Sequence, residues 1–196
     1  MITKGNIIEK YNELNGLAQK NGVVIFGGYE DKDIAMCELK QAFFPDTAFY
    51  NRSIDGISIE NAKELYLLCI APLVPDTMLL HIGIDDLGLC RENPARFEMK
   101  YRELISEIRK TNKKCDIAII DFKNTDLSAD IEYLNKKLKY IADSETCTFC
   151  DISNGYTRSS LQAKKEISFI YNLGFISTMQ RRHPIYDMAE IMFSRK

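Results

Sequence analysis

Four short clusters of residues carry groups that could do acyl chemistry. Gly27-Gly28-Tyr29-Glu30 ends an early apolar run, and Asn51 to Gly56 and Gly83-Ile84-Asp85-Asp86 follow two later ones. Gln180 and His183-Pro184 stand before the last helical pattern. Acyl transfer through a covalent intermediate takes a nucleophile, a histidine to receive its proton, and donors aimed at the developing oxyanion. Tyr29 offers a hydroxyl and His183 an imidazole. Glu30 or Asp85 could instead act as general base on water, with His183 as partner. The same carboxylates with a histidine could hold a divalent cation, but no spaced ligand motif accompanies them. Capping of the following loop or helix end by Asp85 and Asp86 is the favoured reading there. No metal and no cofactor is expected.

These clusters need elements to position them. Ile7, Tyr11, Leu14 and Ala18 recur at helical spacing, so an amphipathic helix is expected within residues 1–20, stopped by Asn21-Gly22. Val23 to Phe26 reads as a buried strand, residues around Ala35 to Ala42 as a helix, and Thr47 to Asn51 as a second strand. Ser58 can cap a helix running to about Cys69, and Thr77 to Ile82 is a third strand. Asn93-Pro94 starts a helix whose apolar face is Phe97, Tyr101, Leu104, Ile105 and Ile108. Cys115 to Phe122 reads as a fourth strand, Ser128 caps a helix with Ile131, Leu134, Leu138 and Ile141 inward, and Thr146 to Ile152 is a fifth strand. A short helix near Ser160 to Ile167 and a final helix from Pro184 complete the pattern. Apolar strands alternating with helices indicate a single α/β domain over residues 1–196: a three-layer α/β/α sandwich of about five parallel strands. In such a fold the site lies beyond the carboxyl ends of the strands, where the clusters fall.

Composition narrows the function classes. The chain has 196 residues, 45% hydrophobic, 28% charged, and a formal net charge of -2. That balance gives no electrostatic case for nucleic acid or an anionic membrane surface. The first residues show no apolar leader and no run long enough to span a bilayer, so a cytoplasmic protein is expected. An oligomer is compatible with the sequence. The 6 cysteines are scattered, and Cys147 and Cys150 read as core thiols, since no second pair completes a zinc site. His81, in an apolar strand, reads as a satisfied core histidine.

The motifs carry a resemblance. Phe44-Pro45-Asp46 through Phe49-Tyr50-Asn51-Arg52-Ser53-Ile54-Asp55-Gly56 is similar to the second sequence block of the SGNH (GDSL-type) hydrolases, which normally reads Asn-Arg-Gly-Ile-Ser-Gly. His81-Ile82-Gly83-Ile84-Asp85-Asp86 resembles their third block, normally Gly-Thr-Asn-Asp, and His183-Pro184 their last. The likeness runs from about Gly22 to Phe193 and is strongest to compact esterases related to platelet-activating-factor acetylhydrolase. It implies the flavodoxin-like SGNH fold and an ester or other small-molecule ligand. It also implies a general-base histidine at His183 and an oxyanion-hole glycine at Gly56. The family's nucleophilic serine maps to Tyr29, its oxyanion asparagine to Asp85, and the aspartate behind its histidine to Gln180. Gly28, Glu30, Asn51 and Asp86 are expected to line the cleft.

A phenol stands on a long rigid ring and obstructs the acyl pocket. An ionised carboxylate in an oxyanion hole repels the charge that the hole must stabilise. The expectation is therefore a non-catalytic or strongly impaired esterase homologue that keeps a polar ligand cleft. The alternative is an active ester or acyl hydrolase with altered chemistry, using Tyr29, or Glu30 and Asp85, with His183.

Overall fold

The computed structural model describes residues 4–32, 48–122 and 128–150. Its elements in chain order are α1 (Lys4–Asn15), β1 (Val23–Gly27), β2 (Phe49–Asn51), α2 (Ile59–Cys69), β3 (Thr77–His81), α3 (Leu87–Glu92), α4 (Pro94–Thr111), β4 (Asp116–Ile120), α5 (Ala129–Ser144) and β5 (Thr148–Cys150). The expected helix around Ala35 to Ala42, the short helix near Ser160, the final helix, Gln180 and His183 lie outside the described residues.

Five parallel strands form one sheet in the order β2-β1-β3-β4-β5. This is the doubly wound, flavodoxin-like order. Successive crossovers leave β1 in opposite directions, which opens a crevice between the carboxyl ends of β1 and β3. The register there pairs Gly27 with His81. One face of the sheet presents Val24, Phe26, Met78, Leu80, Ile117 and Ile119 to a core shared with α2, α4 and α5. The opposite face, with Ile25, Leu79 and Ala118, is also fully buried, as the middle layer of an α/β/α sandwich requires.

Local chemistry explains most boundaries. Asn93 caps α4 by accepting from the Arg96 N–H, and Pro94 supplies a first-turn residue with no N–H to satisfy. The predicted faces of α4 and α5 are buried as expected, with Ile131 half-buried. Two local features differ from the sequence reading. The first helix ends at Asn15, well before Asn21-Gly22, because Asn15 turns its side-chain amide onto the Cys69 carbonyl at 2.7 Å and Gly16 follows. Leu14 is consequently 42% exposed, and Ile8 joins Ile7 and Tyr11 against the core instead. Between Gly83 and Asn93 the chain forms a 3-10 turn (Ile84–Asp86) and α3, where the sequence pattern shows no element.

Gly83 leaves β3 with φ 137°, a conformation that side chains rarely adopt, and an added Cβ would lie 3.2 Å from Leu134 Cδ1. The chain is held here by Tyr101, fully buried, whose hydroxyl donates to the Ile82 carbonyl at 3.1 Å. Tyr101→Phe leaves that carbonyl without its donor. The variant should lose about 1–2 kcal/mol of stability, read as a lower urea midpoint at unchanged slope.

Candidate functional site

Gly27 is the hub of the crevice. Its N–H donates to Ser53 Oγ at 3.0 Å, and its carbonyl accepts from the Ile54 N–H at 2.9 Å. These bonds continue the sheet beyond β2 and lay the Asn51–Gly56 segment along the end of β1. Asn51 spends its side chain on the backbone: Nδ2 donates to the Asp31 carbonyl at 2.6 Å, and Oδ1 accepts from the Ser53 N–H at 2.9 Å. It therefore holds two loops together.

Arg52 points backwards, away from solvent. Only 4% exposed, it donates to Asn15 Oδ1 from Nε at 3.1 Å and Nη2 at 2.8 Å, and to the Asn51 carbonyl from Nη1 at 2.9 Å. The Tyr11 and Tyr50 rings lie against the guanidinium, at 4.9 and 5.3 Å to their centroids. Asn15 ends α1 and is bonded to Cys69, which ends α2, so the cation sits by the negative ends of both helices. Burial lowers its pKa, yet a guanidinium remains protonated. Tyr11 completes the attachment by donating its hydroxyl to the Ser53 carbonyl at 2.7 Å.

The mouth of the crevice carries the motif positions. Gly28 is buried and faces Ile57 and Asp85; a Cβ on it would stand 3.8 Å from Ile57 Cγ2 and 4.0 Å from Asp85 Oδ2. Asp85 is exposed on the 3-10 turn with its carboxylate toward Gly28. Tyr29 is 61% exposed, with the Lys32 ammonium 3.9 Å from the centre of its ring. Lys32 also pairs with Asp55 at 3.6 Å, next to Gly56 in an exposed turn. Glu30 is exposed in the same turn as Tyr29. The structure therefore gathers Gly28, Tyr29, Glu30, Asn51, Gly56, Asp85 and Asp86 at one edge of the sheet.

Asp86 turns inward. It is 5% exposed and accepts the Ile59 N–H at 2.8 Å, the first N–H of α2, so the third motif caps the helix that follows the second. Burial pushes its carboxyl up to about 6; the Ile59 N–H opposes this, and Asp85 and Glu60 add to it.

Sequence reasoning missed a buried pair. Asp31, 4% exposed, sits directly over Gly27, where an added Cβ would fall 2.0 Å from its Oδ2. Its carboxylate binds His81 Nδ1, at 2.9 Å to Oδ2 and 3.1 Å to Oδ1. The imidazole is 8% exposed and stacks on Phe122, with ring centroids 4.2 Å apart. The expectation of a core histidine holds as far as burial goes, but only one ring nitrogen is satisfied. Nε2 has no hydrogen-bond partner among the described residues. The signal was weak: the partners are fifty positions apart, and only a parallel register of β1 with β3 brings them together.

No protein-family model and no curated protein sequence matches the chain. Solved structures do. A Streptococcus pneumonia protein provisionally assigned as a platelet activating factor superposes with TM-score 0.65 at 15% identity, over 85% of this chain and 90% of that one. The chain has the fold of the GDSL-like (SGNH) hydrolases. A Parabacteroides merdae protein provisionally assigned as a GDSL-like lipase gives TM-score 0.55 at 14% identity, over 79% and 87% of the two chains. An acetylxylan esterase from Geobacillus stearothermophilus gives 0.54 at 17% identity, over 70% and 79%. Among the described residues of this SGNH-fold chain, no group of three His, Cys, Asp or Glu side chains is placed to hold a metal ion. No described helix is long and apolar enough to cross a membrane. Burial pushes the Cys147 and Cys150 thiols up to about 11.

The raised Asp86 has a signed consequence. Its folded value lies above its unfolded one, so its contribution to stability is complete below about pH 4 and is lost as pH rises through about 6. Asp86→Asn keeps an acceptor for Ile59 without the charge. The variant should melt higher than wild type at pH 7–8, and the difference should shrink toward zero below pH 4. A difference independent of pH would show that Asp86 ionisation carries no such cost.

Proposed function

We propose that this protein is a non-catalytic, or strongly impaired, relative of the SGNH esterases that keeps its cleft to bind a cationic or hydroxyl-rich small molecule. The observation that carries the reading is the pairing at Tyr29, which the resemblance aligns with the family's nucleophile. A bulky, half-exposed phenol covered by the Lys32 ammonium stands where a small nucleophile is needed, and the Asp85 carboxylate faces the neighbouring Gly28. A carboxylate at that place opposes an oxyanion and attracts a cation or a hydroxyl donor. Apart from Lys32, which pairs with Asp55, the described charged neighbours are acids: Glu30 is exposed beside it, and Asp31, Asp86 and Asp121 are buried at the same edge of the sheet.

Two measurements test this. Wild type should hydrolyse short-chain aryl esters no faster than its His183→Ala variant, while Tyr29→Ser combined with Asp85→Asn should gain turnover that His183→Ala removes. His183-dependent turnover by wild type would overturn the reading and favour an esterase that uses Tyr29, or Glu30 and Asp85. In a thermal-shift screen, amines or polyols should raise the melting temperature, with the shift lost in Asp85→Asn. A shift produced only by carboxylic acids or phosphates would contradict the assigned ligand class.

A further inference from the structure

Lys32 stands in the turn after β1 with its backbone pinned and its ammonium held by exposed groups. Asn51 Nδ2 donates to the Asp31 carbonyl at 2.6 Å and reaches the Lys32 carbonyl at 3.3 Å, so the main chain is fastened to the segment that follows β2. The ammonium, at the end of a flexible stem, lies 3.9 Å from the centre of the Tyr29 ring and 3.6 Å from Asp55 Oδ2. The Lys32 and Asp55 side chains are 32% and 56% exposed, and Tyr29 is 61% exposed. Cation–π contacts and ion pairs are weak at such exposure, so the ammonium can leave without disturbing the fold. An aromatic face beside a carboxylate is also an arrangement that selects an organic cation. The ring attracts the charge and packs against the alkyl carbons next to it, and the carboxylate supplies the counter-charge. Here an alkylammonium, the chain's own, already occupies it.

We propose that the Tyr29 ring and the Asp55 carboxylate form a subsite for alkylammonium groups, and that Lys32 is its tethered occupant, which a ligand's ammonium displaces. The inference rests on the reading of the cleft as one that binds cations, and it narrows that class to organic ammonium ions. Lys32 limits affinity in proportion to the fraction of time it covers the ring, because only the uncovered state accepts a ligand. A ligand that carries a second donor group beside its ammonium can also meet the Asp85 carboxylate, which faces Gly28, the neighbour of Tyr29 in the chain. Such a ligand has an advantage over Lys32, whose single charge is committed to Asp55 and the ring. Displacement leaves the turn in place, since Asn51 holds the Lys32 backbone and not its side chain.

The test is an NMR titration of the full chain with n-butylammonium, the free counterpart of the lysine side chain, and with n-butanol, its uncharged analogue. In the unliganded wild type the Lys32 Cε protons should be shifted upfield by the Tyr29 ring, and they should return to the position of an exposed lysine as n-butylammonium saturates the protein. Lys32→Met should bind n-butylammonium about fivefold to tenfold more tightly than wild type, and adding Tyr29→Leu should cancel the gain. The affinity for n-butanol should be the same in wild type and Lys32→Met. Equal n-butylammonium affinity in the two proteins, a gain that survives Tyr29→Leu, or Lys32 protons that do not move at saturation would each overturn the subsite. Binding that ignores Lys32 but needs Asp85 would likewise sink the subsite while keeping the cation-binding cleft. No binding to either protein ends the subsite too, and the amine and polyol screen then decides the cleft by itself. Should a variant not fold, the wild-type Lys32 protons settle the question.

Discussion

The crevice depends on a carboxylate occupying the space that a side chain at Gly27 would fill. Asp31 Oδ2 lies where that Cβ would be, so the strand end, the turn after it and His81 on the next strand close into one unit. Neither partner is replaceable by a simple apolar residue of the other element. Taking away one half of a buried pair leaves a charge without compensation, typically at about 3–5 kcal/mol. Such pairs are weak sources of net stability and strong determinants of which arrangement is allowed. Here the arrangement fixed is the position of Gly28 and Tyr29 at the switch point of the sheet.

Behind this unit the charges are sorted by sign. Acids collect at the carboxyl edge, with Glu30, Asp55 and Asp85 exposed and Asp31, Asp86 and Asp121 buried. The one deeply buried guanidinium among the described residues, Arg52, faces the other way and is stabilised by helix ends, an amide and two tyrosine rings. Arg52 thus fastens the second motif from the rear without contributing positive charge to the cleft. Asp86 does the corresponding work for the third motif by capping α2. Both segments are therefore held by contacts that set the shape of the loops.

The layers were legible because the central strands are apolar runs and α4 and α5 carry clear helical faces, whereas the flavodoxin-like arrangement of the strands was implied only by the family resemblance. Caps at Ser58, Asn93 and Ser128 marked helix starts for local reasons that a linear reading captures. Leu14 and the end of α1 were not legible, since the helix stops where Asn15 finds a carbonyl on α2. The gathering of Gly28, Tyr29, Gly56 and Asp85 followed from topology and motif spacing together. The role of Asn51 and the partner of His81 did not follow, because hydrogen bonding between separate loops leaves no periodicity in sequence. A histidine at the end of an apolar strand looks the same whether its partner is a carbonyl or a buried carboxylate.

The attachment of α1 sets an order of events during synthesis. This helix leaves the ribosome before its partners: Arg52, the Ser53 carbonyl and the Cys69 carbonyl that meet Tyr11 and Asn15 are made dozens of residues later. At 12 residues it is too short to be stable in water by itself. The nascent segment must wait, largely unstructured and with Ile7, Ile8 and Tyr11 uncovered, until β1, β2 and α2 have been made. The shape of α1 is thereby set by residues up to 54 positions further along the chain.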